Sequence, residues 1–327
     1  MPAFRAAATL PGALSALRAT GLALDVVVVD DGCPMGSGDV ADAWARDAGW
    51  PVRVVRNGRN LGTSAARNVG WRATHGDLVA FVDADVEVAP DALARLCDVL
   101  ESDPTLLGAN GTLAQCVTSD TVSAFVNTSL RFQLASHGPR VNSAFTSLCV
   151  MRRATLERMG GWDERRSSRY GDDVATRWHL PPGSIAQVAG AVGAHRKTVA
   201  LGGMLRHRVN VGVHFVRALR ENERVFARHP DRAVLASHYP QNTLLSALSL
   251  PVAFVELLEA SAVVTPFGAV ALAWVVGNVG FLRFVAREDG VRRAAVALPL
   301  TVLEGHALLV GVTLGFIHLI RRPRGDT

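Results

Sequence analysis

Lysine is nearly absent from this chain of 327 residues: Lys197 stands alone, and the remaining cations are arginines. Cysteine is sparse too. Cys33, Cys97, Cys116 and Cys149 lie far apart, which excludes a zinc-type spacing and a disulfide framework. Reduced thiols are the expectation. Aromatic residues make up 6% of the chain and do not interleave with basic ones, so the pattern that stacks bases is missing and no nucleic-acid partner is expected. The first 24 residues contain no unbroken apolar stretch, so a signal peptide is not expected. Charged residues reach only 19%, against 49% hydrophobic. The apolar excess is uneven. Residues 1–235 carry most of the charge, and residues 241–320 are largely apolar, which predicts a soluble part followed by a membrane region. The net charge of +5 favours anionic lipid or phosphate-bearing substrates.

In the soluble part, apolar strands alternate with amphipathic helices. Leu10, Leu14 and Leu17 mark one face of a helix over 9–19. Strands are predicted at 25–29, 52–55 and 78–82, and helices at 39–48, 63–74 and 90–100. This order argues for an α/β fold with a doubly wound, mostly parallel sheet. Such sheets bind ligands at the carboxyl ends of their strands. Two acid groups sit at such ends: Asp30-Asp31 after one strand and Asp83-Ala84-Asp85 after another. Paired carboxylates there can hold a divalent cation against a diphosphate, although Asp is also common where strands end in turns. Farther on, 106–118 and 143–151 read as strands, a polar loop at 165–170 leads to Asp172-Asp173, and His195 opens a basic segment. Residues 204–228 fit a helix with Leu205, Val209, Val213 and Val216 on one face and arginines on the others. That pattern suits either an anionic membrane surface or a solvated face. Apolar runs follow at 243–263, 266–285 and 294–320, and two or three membrane helices are expected. The arginines at 283, 287, 292 and 293 and the tail at 321–324 all belong on the cytoplasmic side, which a single span between them cannot satisfy.

An ordered series of short motifs runs through the soluble part: Pro2-Ala3-Phe4, Val29-Asp30-Asp31-Gly32, Asn60-Leu61-Gly62, Ala66-Arg67-Asn68-Val69-Gly70, Asp83-Ala84-Asp85, Gly160-Gly161-Trp162-Asp163-Glu164, Asp172-Asp173 with Arg177, and His195. In this order and spacing, over about residues 2–200, the chain resembles the family 2 glycosyltransferases, inverting nucleotide-sugar enzymes of GT-A fold. The resemblance implies a GT-A domain over 1–203, an amphipathic or interfacial segment over 204–240, a membrane region over 241–320 and a basic tail over 321–327. It implies a nucleotide-diphospho-sugar donor, a lipid-linked or glycan acceptor, a Mg2+ or Mn2+ ion, membrane lipids as partners, and a catalytic domain on the cytoplasmic face of the cytoplasmic membrane.

The same resemblance assigns roles. Pro2, Ala3 and Phe4 would line the nucleotide, and Asp30 or Asp31 would accept hydrogen bonds from the base. Asn60, Gly62, Arg67 and Asn68 would border the nucleotide and sugar, with Asp83 near the ribose. Asp85 and His195 would hold the metal. Trp162 would wall the acceptor site, Arg177 would bind substrate, and Arg196 and Lys197 would add phosphate contacts. Asp173 matches the catalytic base, which takes the acceptor proton as the anomeric carbon is attacked. Asp172 stands where the family more often has Glu, and both acids suit a helix N-cap as well.

Two departures from the family stand out. The family places an apolar strand before the Pro-Ala-Phe loop; here Met1 occupies its last position, so a first strand is expected to be missing and the true start to lie upstream. No Gln-x-x-Arg-Trp motif follows the base, which points to single-sugar transfer. Residues 2–12 lack the Gly-rich, Arg-containing loop of sugar nucleotidyltransferases, and Val86-Glu87-Val88 lacks the hydroxylated residue that follows the Asp-x-Asp of haloacid-dehalogenase-type phosphatases. The remaining alternative is a membrane-anchored pseudoenzyme that binds a nucleotide sugar without turnover.

Overall fold

The computed structural model describes residues 1–115, 120–164, 180–221, 242–247 and 266–321. Two compact units emerge. The first comprises Met1–Cys116 and Leu134–Lys197, the second Val117–Gln133 and Thr198–Thr327.

The first unit is built on two sheets. Strands β1 (Pro2–Ala3), β2 (Val26–Asp30) and β3 (Val52–Arg56) form a parallel sheet in that order. Met1 extends the β1 ladder: its ammonium donates to the Val27 carbonyl, and its own carbonyl accepts from Val29, each at 2.9 Å. All five residues of β2 are buried, as expected of a strand covered on both faces. Helices α1 (Leu10–Ala19), α2 (Ser37–Ala48) and α3 (Thr63–Ala73) connect or cover these strands. Leu10, Leu14 and Leu17 of α1 are buried against Val26, Val28, Val86 and Leu93. Each fully buried leucine contributes about 2 kcal/mol.

The second sheet has six strands: β4 (Leu78–Val82), β5 (Val86–Val88), β6 (Gly108–Leu113), β7 (Arg140–Val141), β8 (Leu148–Arg152) and β9 (Ile185–His195). The order is β4-β8-β6-β9-β5, with β7 against β9. Only β6–β9 is parallel; β4–β8, β6–β8, β5–β9 and β7–β9 are antiparallel. The mostly parallel expectation therefore holds for the first sheet and fails for the second. A buried apolar strand such as Leu148-Cys149-Val150-Met151 reads alike in either direction. Helices α4 (Ala92–Ser102) and α6 (Arg153–Met159) also belong to this unit.

The described part of the second unit is helical. It takes in α5 (Thr121–Ser136) as far as Gln133, followed by α7 (Leu201–Glu221), a helical stretch at 242–247, α8 (Pro266–Gly277), α9 (Val279–Glu288) and α10 (Val291–Arg321). Among the described residues one helix, Val291–Ile320, is long and apolar enough to cross a membrane. The run at 266–285, expected to be a single span, is broken at Asn278. The Asn278 side chain donates to the Trp274 carbonyl at 2.9 Å and exchanges hydrogen bonds with Asn242, so its amide competes with the helical ladder. Most of the 243–263 run lies outside the described residues.

Of the apolar face of helix α7, Val216 is buried, whereas Leu205, Val209 and Val213 are half-buried. Met204, Arg208, Gly212 and Val216 are its buried stripe. Arg208 pairs there with Glu304 of α10, which is fully buried. Ionisable groups inside an apolar assembly are expected to be paired in this way.

Candidate active site

Two strand registers assemble the central acids. Asp83 directly follows β4, and the pairing of Val82 with Leu148 brings Ser147 opposite it. Ser147 holds Asp83 twice: its hydroxyl donates to Oδ2 at 2.7 Å, and its carbonyl accepts the Asp83 N–H at 3.2 Å. The other carboxylate oxygen, Oδ1, accepts from Arg67 at 3.1 Å. The Arg67 guanidinium is buried and lies 6.0 Å from the centre of the Trp162 ring. A turn closed by the Val86 N–H on the Asp83 carbonyl then carries the chain past Ala84 to Asp85.

Asp85 precedes β5, whose first residue, Val86, is paired with His195 at the end of β9. This register sets His195 Nε2 3.5 Å from Asp85 Oδ1. Burial opposes ionisation of Asp85, but the facing His195 and the Lys197 charge outweigh it and hold the carboxyl below the usual range. Both side chains remain partly open, at 23% for Asp85 and 13% for His195. The Asp85 carboxylate is an oxygen ligand of the kind Mg2+ and Mn2+ take alongside phosphate oxygens and water, and His195 stands beside it as a nitrogen donor. Among the described residues no group of three or more His, Cys, Asp or Glu side chains that could hold a metal ion gathers.

Asp30 and Asp31 lie at the end of β2, and both are buried. Asp30 accepts the Cys33 N–H on Oδ1 at 2.7 Å and the Gly38 N–H on Oδ2 at 2.8 Å. Asp31 accepts the Asn57 amide and the Leu61 N–H on Oδ1, and the Gly62 N–H on Oδ2. The two acids thus fix the loops on either side of the strand end. Cys33 joins this frame: its sulfur accepts from the Arg5 N–H and the Ser37 hydroxyl, each at 3.1 Å. Burial raises the Cys33 pKa, but these donors prevail and hold the thiol below its ordinary value. Phe4 stays exposed beside the loop, whereas Pro2 is half-buried and Ala3 fully buried. Asn60 is exposed on the loop that Asp31 holds.

Asn68 follows Arg67 on α3 but points elsewhere. Its Oδ1 accepts the Trp162 N–H at 2.8 Å and the Trp71 indole N–H at 3.1 Å, and its Nδ2 donates to the Trp162 carbonyl and to Glu164 Oε1. Gly161, at φ 86, brings the backbone so close to Asn68 that a Cβ would lie 2.4 Å from Oδ1. Trp162 is buried edge-on against Phe81, with ring centres 5.1 Å apart, and among the described residues its indole nitrogen has no hydrogen-bond partner. Asp172, Asp173 and Arg177 lie outside the described residues.

The described residues therefore pair Arg67 with Asp83 and His195 with Asp85, two residues farther along the chain, and give Asn68, Asp30 and Asp31 internal partners. Arg196, expected at the phosphate, pairs with Glu87 at 2.6 Å. The sequence carries no signal for Ser147, because only the antiparallel β4–β8 register places it against Asp83.

Residues 1–158 match the family described as Glycosyl transferase family 2. An undecaprenyl-phosphate 4-deoxy-4-formamido-L-arabinose transferase of Pseudomonas paraeruginosa is 35% identical over 102 residues, which cover 30% of this chain and 30% of that protein. An uncharacterised glycosyltransferase of Bacillus subtilis is 38% identical over 90 residues, which cover 27% of this chain and 25% of that one. The chain thus spans about 30% of the length of the first curated relative it matches. Among solved structures, a mannosyltransferase from Pyrobaculum calidifontis in complex with GDP-Man and Mn2+ superposes with a TM-score of 0.62 at 19% identity, over 92% of this chain and 85% of that one. That similarity shows a shared fold.

Proposed function

Because residues 1–158 form a family 2 glycosyltransferase domain of GT-A fold, we propose that the protein moves a sugar from a nucleotide-diphospho-sugar to a lipid-linked acceptor by a single inverting displacement at the membrane, with its catalytic domain in the cytoplasm. The observation that carries this reading is the Asp85–His195 pair beside an Asp83 fixed by Arg67 and Ser147. Asp85 and His195 would hold a divalent cation, whose charge would neutralise the departing nucleoside diphosphate.

The chain's own groups supply the rest. Asp83, held on both oxygens, offers a pre-oriented carboxylate edge to the ribose side of the donor. Asp30 and Asp31 hold the loops that frame the nucleotide base, with Asn60, Gly62 and the Pro2-Ala3-Phe4 segment as their rims. Asn68 and Trp162 fix the start of the segment that carries Asp172, Asp173 and Arg177. Asp173 takes the acceptor proton as the acceptor oxygen bonds to the anomeric carbon and the bond to the diphosphate oxygen breaks. Asp172 and Arg177 orient the acceptor. The absence of a Gln-x-x-Arg-Trp motif supports transfer of a single sugar.

A relative named for undecaprenyl phosphate supports an acceptor on a polyprenyl lipid, at either its phosphate or a hydroxyl of a glycan attached to it. The two differ in their need for a base. A phosphate monoester is largely ionised near neutral pH, whereas a hydroxyl must lose its proton as it attacks.

The test uses membranes containing the full chain, a panel of nucleotide sugars and nucleoside diphosphate release as readout. Release is expected with Mg2+ or Mn2+, to stop with chelator, and to be lost in Asp85→Ala. Asp173→Asn is expected to cost about 10²–10⁴-fold with a hydroxyl acceptor and far less with a lipid phosphate. Donor binding without release from any donor would leave a nucleotide-sugar-binding protein and sink the proposal.

A further inference from the structure

The α9–α10 junction in the second unit carries arginines that no acid answers among the described residues. The two helices meet at Asp289-Gly290, where Gly290 has φ 94. Helix α9 then lies along the first turns of α10, because Phe281 and Val285 share a core with Ala297 and Leu300. It is pinned on its inner side by α5. Phe125 and Phe132 meet Phe281 edge-on at 5.9 and 5.4 Å, Arg131 holds Glu288, and the Thr128 hydroxyl donates to Asp289. Both acids at the end of α9 are therefore turned toward α5.

Arg283, Arg287 and Arg292 are left facing outward. All three are exposed and have no ion-pair partner among the described residues. Arg283 and Arg287, four residues apart, share one helix face. Beyond this cationic cluster the exposed surface turns apolar. Val296, Leu303, Val310 and Ile317 recur every seven residues on α10 and are all exposed; Leu272 and Val276 of α8 are exposed as well. From Val296 to Ile320 the helix rises about 36 Å at 1.5 Å per residue, more than the roughly 30 Å of a hydrocarbon core.

We propose that the α9–α10 junction is a docking surface for anionic phospholipid headgroups, with the apolar stripe of α10 in the acyl chains beyond it. The surface demands an occupant that is anionic at one level and apolar immediately above. A polar anionic ligand leaves the stripe exposed. A second copy related by a two-fold axis along this face sets the arginines against their own symmetry mates. A lipid leaflet meets both demands at once.

The inference rests on the membrane association proposed above and is independent of sugar transfer, which its test does not read. The full chain is reconstituted in phosphatidylcholine bilayers holding a trace of spin-labelled phosphatidylglycerol or spin-labelled phosphatidylcholine. The lipid immobilised at the protein is measured by electron paramagnetic resonance. Phosphatidylglycerol is expected to be preferred at low salt by about fivefold for each arginine engaged, from the ~1 kcal/mol a basic residue contributes at an anionic surface, and the preference is expected to fade as salt screens it. The triple variant R283Q/R287Q/R292Q is expected to lose the preference while its phosphatidylcholine signal is unchanged; single variants are expected to lose part of it. Equal association of the two lipids with the unmodified chain, a preference that survives in the triple variant or at 1 M salt, or no immobilised lipid of either kind overturns the proposal.

Discussion

Asn68 shows how far a single amide can organise a site. Its four hydrogen bonds, two accepted and two donated, saturate the side chain. Asn68→Ala would strip partners from the Trp162 N–H and carbonyl and from the Trp71 indole. At about 1–3 kcal/mol per buried orphan, partly offset by relaxation, roughly 3 kcal/mol of stability should be lost. Urea unfolding would read this as a lower midpoint at an unchanged slope; a change below about 1 kcal/mol would mean the clamp is slack. The Asn68 motif was legible in the sequence, but the direction of its side chain was not. Asp30 and Asp31 make the same point, since nothing in a run of valines followed by two acids tells whether the carboxylates face a ligand or the adjoining loops. Asp85 and His195 were readable as a pair only through their places in a motif series; the contact itself comes from the Val86–His195 register.

At the scale of elements, the α7–α10 seam shows where periodicity misleads. Counting apolar residues selects Leu205, Val209, Val213 and Val216, whereas the buried stripe is Met204, Arg208, Gly212 and Val216. Arginine and glycine do not score as apolar. One is buried because Glu304 faces it, the other because α10 approaches too closely for a side chain. A Cβ on Gly212 would lie 2.5 Å from the Leu308 carbonyl oxygen, and one on Gly311 would lie 2.0 Å from that of Val209. Gly311 and Gly315 form the small-xxx-small spacing that lets helices approach closely in apolar surroundings. The seam yields a prediction of opposite signs. Gly311→Ala must push the helices apart and should lower the melting temperature in detergent, by an amount equivalent to about 2 kcal/mol. Gly203→Ala, on the same α7 but with nothing within 4 Å of its Cβ, should raise it through the 0.5–1 kcal/mol that Ala gains over Gly in a helix. Equal responses at the two sites would refute the close approach.

On the scale of the whole chain, the α/β alternation is visible because β2 and β4 are apolar and α1 and α4 carry apolar stripes, but strand direction leaves no such trace. Nor did sequence order reveal that the two units interleave. Residues 117–133 group with 198–327, although they lie in the middle of the stretch that carries the sugar-transfer motifs. The reason lies in α5, where Phe125 packs with Met204, Phe281 and Leu300, the Ser123 hydroxyl accepts the Val199 N–H at 2.8 Å, and Arg131 and Thr128 engage Glu288 and Asp289. A chain ending at residue 203 therefore keeps α5 but removes most of what covers it. Each uncovered phenylalanine forfeits about 2 kcal/mol of burial, and Arg131 loses its carboxylate. Such a chain should aggregate, or else be cleaved by trypsin at Arg131 well before the full protein is. Replacing Phe125 with Ser in the shortened chain should improve its solubility, whereas the same change in the full protein should destabilise it by about 3–5 kcal/mol, as large-to-small aromatic changes in cores do. A shortened chain that stays monomeric, resists trypsin at Arg131 and melts cooperatively would show that α5 belongs to the sheet-bearing unit after all.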